Sequence, residues 1–148
     1  MIKEILDKTQ SELTHLTGLM TVMDPMPVKK AAPHLRLTFM GSGDQGSYDT
    51  LNFQLSIVAA GDGPDIYLQK IIEGSLLVHD LFRTANGKNR VDVSLNGGGS
   101  FRIHFKPLAL DNGGQFIENE RDENEQTQFR YTFVEPHVIT VSFPRDER

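Results

Sequence analysis

The chain contains no cysteine. That excludes disulfides, thiolate zinc sites, cysteine nucleophiles and iron–sulfur clusters together, and it suits a reducing cytosol. Other chemical signatures are missing too. There is no HExxH, no GxSxG elbow, no GxGxxG and no P-loop. The histidines His15, His34, His79, His104 and His137 have no close ligand spacing. His34 has Arg36 for company, and His104 has Arg102 and Lys106, a poor electrostatic setting for a cation. Carboxylates are plentiful, but their one dense group lies in a single polar stretch, whereas acid–base catalysis needs preorganised, partly desolvated groups. The expectation is a protein that is not an enzyme and holds no cofactor and no metal. Long apolar runs are also lacking. Met1-Ile-Lys-Glu-Ile-Leu-Asp-Lys8 carries charges inside its apolar pattern, so it is expected to be neither a signal peptide nor a membrane span. A soluble, intracellular protein without a membrane partner is expected.

Excess positive charge is absent as well. The net charge is −5. Between Asp111 and Gln126 the acids Asp111, Glu118, Glu120, Asp122, Glu123 and Glu125 face only Arg121, so that segment holds the whole imbalance. No basic stripe with interleaved aromatics remains, which disfavours specific nucleic-acid binding. The acidic segment, 111–126, reads as a flexible loop, either a solvated insertion or one that orders on assembly. Residues 144–148 read as a polar tail.

What the chain does have is alternation. At 148 residues it reads as one domain, 1–148, able to bury about 68–70% of the surface an unfolded chain of this size exposes. Leu51, Phe53, Leu55 and Ile57 recur every second residue, as in a half-buried strand, and after Gly61-Asp-Gly63 the spacing turns helical. Asp62 or Gly63 can cap that helix and Pro64 suits its first position. It is expected to run from Pro64 to about Thr84, with Leu68, Ile71, Ile72, Ser75, Val78 and Phe82 near one side. Ile66, Leu76, Leu77 and Leu81 widen the apolar arc beyond what one sheet can cover. Gly74, costly inside a helix by about 1 kcal/mol against alanine, suggests close approach of another backbone. Ile66, Gly74, Leu77 and Leu81 are therefore the candidate oligomer-interface residues.

The remainder supplies strands. Ile2, Ile5, Leu6, Leu13 and Leu16 mark an amphipathic N-terminal helix with Gly18 as its stop. Pro25, Pro27 and Pro33 make a connector with at most a short edge strand at 19–23. Leu35, Leu37 and Phe39 alternate. Gly41-Ser-Gly-Asp-Gln-Gly-Ser47 reads as a long, mobile hairpin loop. Val91–Leu95, Asn96-Gly-Gly-Gly-Ser100 and Phe101–Lys106 form a hairpin signal, with Arg102, His104 and Lys106 facing out. Near the end, Pro136 interrupts two alternating runs and permits either a hairpin or a bend at an edge. The fold class expected is α+β, a mostly antiparallel sheet packed against one long central helix, plus the N-terminal amphipathic helix.

In the order of these elements the chain resembles the tail-terminator family of long-tailed phages, that of the lambda tail terminator, and prophage tail proteins of the Mu-like type. The residues that carry the resemblance are Ile2-Lys-Glu-Ile-Leu6, Leu51-Asn-Phe-Gln-Leu-Ser-Ile-Val-Ala59 leading to Leu68-Gln-Lys-Ile-Ile-Glu-Gly74, and Phe129-Arg-Tyr-Thr-Phe-Val134. The likeness implies a structural protein that assembles with itself into a hexameric ring, caps the tail tube and joins it to the head connector. It implies passage from the cytoplasm of a bacterial host to the virion tail. On that reading Glu118, Glu120, Asp122, Glu123 and Glu125 form a lumen- or partner-facing loop, whose charge would let DNA pass without sticking. The alternatives are another head–tail joining, baseplate or contractile-machine component, or a small-ligand-binding or enzymatic α+β domain with a pocket under the helix.

Overall fold

The computed structural model of the chain describes residues 2–24, 33–61, 64–84, 90–107, 115–118 and 129–145. Among the described residues nine elements follow in order: α1 (Ile2–Thr17), β1 (Met20–Met23), β2 (His34–Gln45), β3 (Tyr48–Gly61), α2 (Pro64–Thr84), β4 (Arg90–Ser94), β5 (Ser100–Pro107), β6 (Gln115–Glu118) and β7 (Phe129–Pro144). Six strands lie in the order β1-β2-β3-β7-β5-β4, and β6 adds a seventh by pairing with β7. Among the described residues all pairings are antiparallel except β1 with β2. The sheet curls into a half-barrel.

This overturns the expectation of a sheet packed against one long central helix. The organising unit is the curled sheet, with β3 and β7 paired from Tyr48↔Pro144 to Gly61↔Phe129 at its middle. The helix over 64–84 forms as the sequence predicts, but it is a cover that shares one sheet face with α1. Bulges explain the curl. Met40 is skipped where the β2–β3 register passes from Phe39↔Phe53 to Gly41↔Asn52, and Gly41 sits at φ 140. On β7 the chain takes four steps, Val138 to Val134, while β3 takes two, Gln54 to Ser56. Pro136 lies in that extra stretch, where no ladder donor is required of it. Each bulge bends its strand and increases local twist. The C-terminal β segment is thus one bent strand in mid-sheet, neither a hairpin nor an edge.

The expected loop at 41–47 is also corrected. β2 continues through Gln45, and the connection to Tyr48 is only Gly46-Ser47. Gly46 has φ 68, the positive value that a two-residue hairpin loop demands. Polar glycine-rich sequence holds strand here because β2 bonds along β3 for its whole length. Within the acidic stretch, β6 pairs with β7 at 131–134, so part of the expected loop is strand.

One core fills the space between the helices and the inner sheet face. Leu35, Leu37, Leu55, Ile57, Ile103, Ile139 and Val141 from the strands meet Ile5, Leu13, Ile71 and Val78 from the helices. On α1 the inward stripe is Ile5, Thr9, Leu13 and Thr17, while Ile2 and Leu16 are exposed. The threonines can be buried because Thr9 and Thr17 donate to the carbonyls of Ile5 and Leu13, each at 2.7 Å. Burying Ile5 and Leu13 is worth about 1.5–3 kcal/mol each. The exposed Lys3–Asp7 pair at 3.6 Å is worth roughly 0.3–0.5 kcal/mol. Packing, not surface charge, holds α1. Gly18, at φ 75, donates its amide to Thr14 O at 2.8 Å and ends the helix.

Candidate functional site

Three surface features stand out, two of them apolar. Along α2 the side chains of Ile71 and Val78 turn into the core, and the outward flank carries Leu68, Ile72 and Leu76, spaced four apart and 52%, 49% and 60% exposed. Leu77 adjoins them at 39%. Four-residue spacing places these side chains in one stripe. A surface helix ordinarily presents polar groups to water, so this stripe is an exposed apolar face.

The second feature is a groove of about 370 Å³ where α1 meets β1, β2 and β3, lined by Ile2, Leu6, Met23, Phe39, Leu51 and Phe53, with Asp24 at its edge. The rings of Phe39 and Phe53 are tilted at 57° with centroids 5.7 Å apart. Phe39 stays half exposed because it lies just before the Met40 bulge, at the margin of the area the helices cover.

The third feature is polar and lies on the sheet face turned away from the helices. Alternation along β5 sends Phe101, Ile103 and Phe105 into the core and Arg102 and His104 to the other side. The register sets Asp92 of β4 opposite Arg102, Arg102 opposite Ser142 of β7, and Ser142 opposite Thr50 of β3. Arg102 Nε donates to Asp92 Oδ1 at 2.7 Å, and His104 Nε2 lies 3.2 Å from Ser142 Oγ. The Arg102 hydrogen bond holds the Asp92 carboxyl below its ordinary pKa, aided by the charges of Arg102, Arg90 and His104. With Gln45 and Tyr48 from the β2–β3 hairpin, these side chains line a half-open cleft of about 370 Å³. The hairpin is fastened there by Arg145, whose amide donates to Ser47 O at 2.9 Å and whose Nη2 donates to Gly46 O at 3.0 Å.

No protein-family model matches the chain, and no curated protein matches it by sequence. The geometry of its own residues carries the functional reading. Among the described residues no three histidine, aspartate or glutamate side chains gather as a metal site would need, and no helix is long and apolar enough to cross a membrane.

Of the residues singled out by sequence, Leu77 lies at the margin of the α2 stripe. Gly74 is buried against β3, where an added Cβ would stand 3.0 Å from Ile57 Cγ2. The close approach inferred for Gly74 is therefore to this chain's own sheet. The side chains of Ile66 and Leu81 lie outside the described residues, as do Glu120, Asp122, Glu123 and Glu125. Glu118 ends β6, and its side chain is not among those described. His104 faces out as expected, whereas His34 is buried, and His79 meets His137 edge-on with ring centroids 5.4 Å apart.

Sequence reasoning passed over the polar cleft. Part of it was readable, since a hairpin centred on Gly97 puts Asp92 opposite Arg102. The contributions of Ser142 and Tyr48 depend on long-range pairing that no local signal announces. It also placed Leu68 and Ile72 beside Ile71, where the structure turns them outward.

Proposed function

We propose that the chain is a structural subunit that closes into a ring with copies of itself, as in the tail terminators whose element order it resembles. On this reading a hexamer ends a phage or prophage tail tube and offers its outer surface to the head connector. The subunit is made in the cytoplasm of a bacterial host and finishes in the virion tail. Its work is assembly, not catalysis. The observation that carries the reading is the exposed stripe Leu68, Ile72 and Leu76 on α2. Contiguous exposed apolar surface marks contact sites. A ring also needs a heterologous interface, two different patches on one chain, and the apolar groove by α1 supplies a second patch.

Sedimentation velocity and negative-stain microscopy test this. Rings are expected at high concentration or on added tail tubes, and Leu76→Asp should give a folded monomer. A chain that remains monomeric under both conditions would overturn the proposal. Tails assembled without the protein should be overlong; tails of normal length would move the role to another joining or baseplate station.

A further inference from the structure

We propose that the cleft on the outer sheet face binds a neutral sugar unit of a glycan through Gln45, Tyr48, Asp92, Arg102, His104 and Ser142. This goes beyond the assembly reading, because the cleft lies on the side of the sheet opposite α2 and does not involve either apolar patch.

Charge decides the ligand class first. Asp92 and Arg102 are paired at 2.7 Å within the cleft, so the carboxylate and the guanidinium that line it offset each other. An anion would have to compete with Asp92 for Arg102, and a cation would have to compete with Arg102 for Asp92. A polyhydroxyl ligand displaces neither. It accepts from the remaining guanidinium N–H groups and donates to the remaining carboxylate lone pairs, since both partners keep unused capacity after one shared hydrogen bond.

Spacing comes next. The polar side chains stand in rows across β4, β5 and β7, strands about 4.7–4.9 Å apart. That is close to the separation of alternate equatorial hydroxyls on a pyranose ring. Gln45 adds an amide that both donates and accepts, and the Ser142 hydroxyl and the His104 ring do the same as a pair. Volume agrees, because about 370 Å³ falls at the small end of ligand sites.

The aromatic group completes the site. Tyr48 is 49% exposed at the edge of this polar array. Its ring offers an apolar face on which the C–H side of a sugar can stack while hydroxyls reach the strand side chains. The wall that carries Tyr48 is rigid. Tyr48 is paired to Pro144 in the ladder, Arg145 clamps the adjoining Gly46-Ser47 turn, and Thr140 Oγ1 donates to Asn52 Oδ1 at 2.8 Å on the same sheet face. A preformed wall reduces the ordering cost of binding.

The test is titration of the uniformly 15N-labelled full chain with glucose, galactose, N-acetylglucosamine and the disaccharides cellobiose, lactose and chitobiose, followed by amide shifts. Inorganic phosphate and acetate serve as anion probes. At least one sugar is expected to give saturable shifts confined to the amides of Gln45, Tyr48, Arg102, His104 and Ser142. Tyr48→Phe should keep the affinity, and Tyr48→Leu should weaken it about tenfold at unchanged fold. Gln45→Ala, in the exposed hairpin, gives a second variant should Tyr48→Leu fail to fold, and it should also weaken binding. No saturable shift with any of these sugars up to ~0.1 M, a scale weaker than millimolar binding, would overturn the proposal. Saturable shifts at the cleft with phosphate alone would overturn it in favour of an anion site. Loss of ring assembly has no bearing on any of these readouts, so the two proposals fail separately.

Discussion

α1 and α2 cover the same sheet face, yet they spend their apolar residues differently. On α1 the inward stripe is Ile5, Thr9, Leu13 and Thr17, two apolar residues and two threonines. On α2 the inward line is Ile71, Gly74 and Val78, and three or four large apolar residues remain outside. The first helix is also tied by polar contacts. Lys8 Nζ donates to Ser94 O at 2.6 Å and to Asn96 Oδ1 at 3.0 Å, and the Asn96 amide donates to Glu4 Oε1 at 2.7 Å. Those bonds fasten α1 to the β4–β5 turn. Among the described side chains of α2, the exposed residues Leu68, Ile72 and Leu76 run as an apolar stripe beside exposed Gln69, Glu73 and Asp80. The Glu4–Lys8 side of α1 is thus fastened within the chain, whereas the α2 stripe, like the groove edge at Ile2 and Leu6, is left for contact with something else.

The sharpest way to test that contrast is to cut into α1's core side. Leu13→Ala removes a fully buried side chain and should cost about 2–5 kcal/mol in urea unfolding. A smaller loss would mean that α1 is held mainly by its polar ties. On α2, Gly74→Val should cost about 1–3 kcal/mol through overpacking, because its Cβ would meet Ile57 Cγ2 at 3.0 Å. Unchanged stability with lost self-association would instead place Gly74 at a subunit contact.

Next comes the polar fastening. Lys8→Ala should cost about 0.5–1.5 kcal/mol, the net worth of a typical hydrogen bond. Glu4 adds a pH signature. The Asn96 amide, with help from Lys8, lowers its pKa below the ordinary value. The folded state therefore binds that proton less readily than the unfolded chain. Glu4's contribution is present above the ordinary carboxyl pKa and is lost as pH falls through the lowered folded value. Glu4→Gln should flatten that part of the stability–pH curve, and an unaltered acid limb would show that the contact is not populated in solution. The smallest folding effect belongs to the α2 stripe. Ile72→Asp and Leu76→Asp should change stability by no more than about 0.5 kcal/mol while abolishing self-association in sedimentation. A cooperative loss of fold would show that this side is core after all.

Much of this contrast was hidden in the sequence for physical reasons. The α1 stripe was misread because Thr9 and Thr17 look polar, although a hydroxyl bonded to the carbonyl four residues earlier can be buried. Ile2 and Leu16 look like core and are exposed. On α2 nearly every turn carries large apolar residues, so periodicity could not say which side faces the sheet. Only the narrow inward line at Gly74, set by Ile57, decides it. The β4–β5 hairpin was readable because its loop is local and its register is symmetrical about Gly97.

For α2, residue spacing alone specified a strand leading through a glycine link into a helix running from Pro64 to Thr84, with more apolar surface than one contact can use. Alternation and helical spacing are properties of neighbouring residues, so they can be read along the chain. Tertiary structure decided that the curled sheet, not this helix, organises the molecule. It also decided which residues of α2 face outward, and that Asp92, Arg102, Ser142 and Tyr48 share one cleft. Those outcomes depend on strand order and on the register of β7 after its bulge. They come from contacts between residues as far apart as Tyr48 and Pro144, whose loop-closure cost only the assembled core can offset.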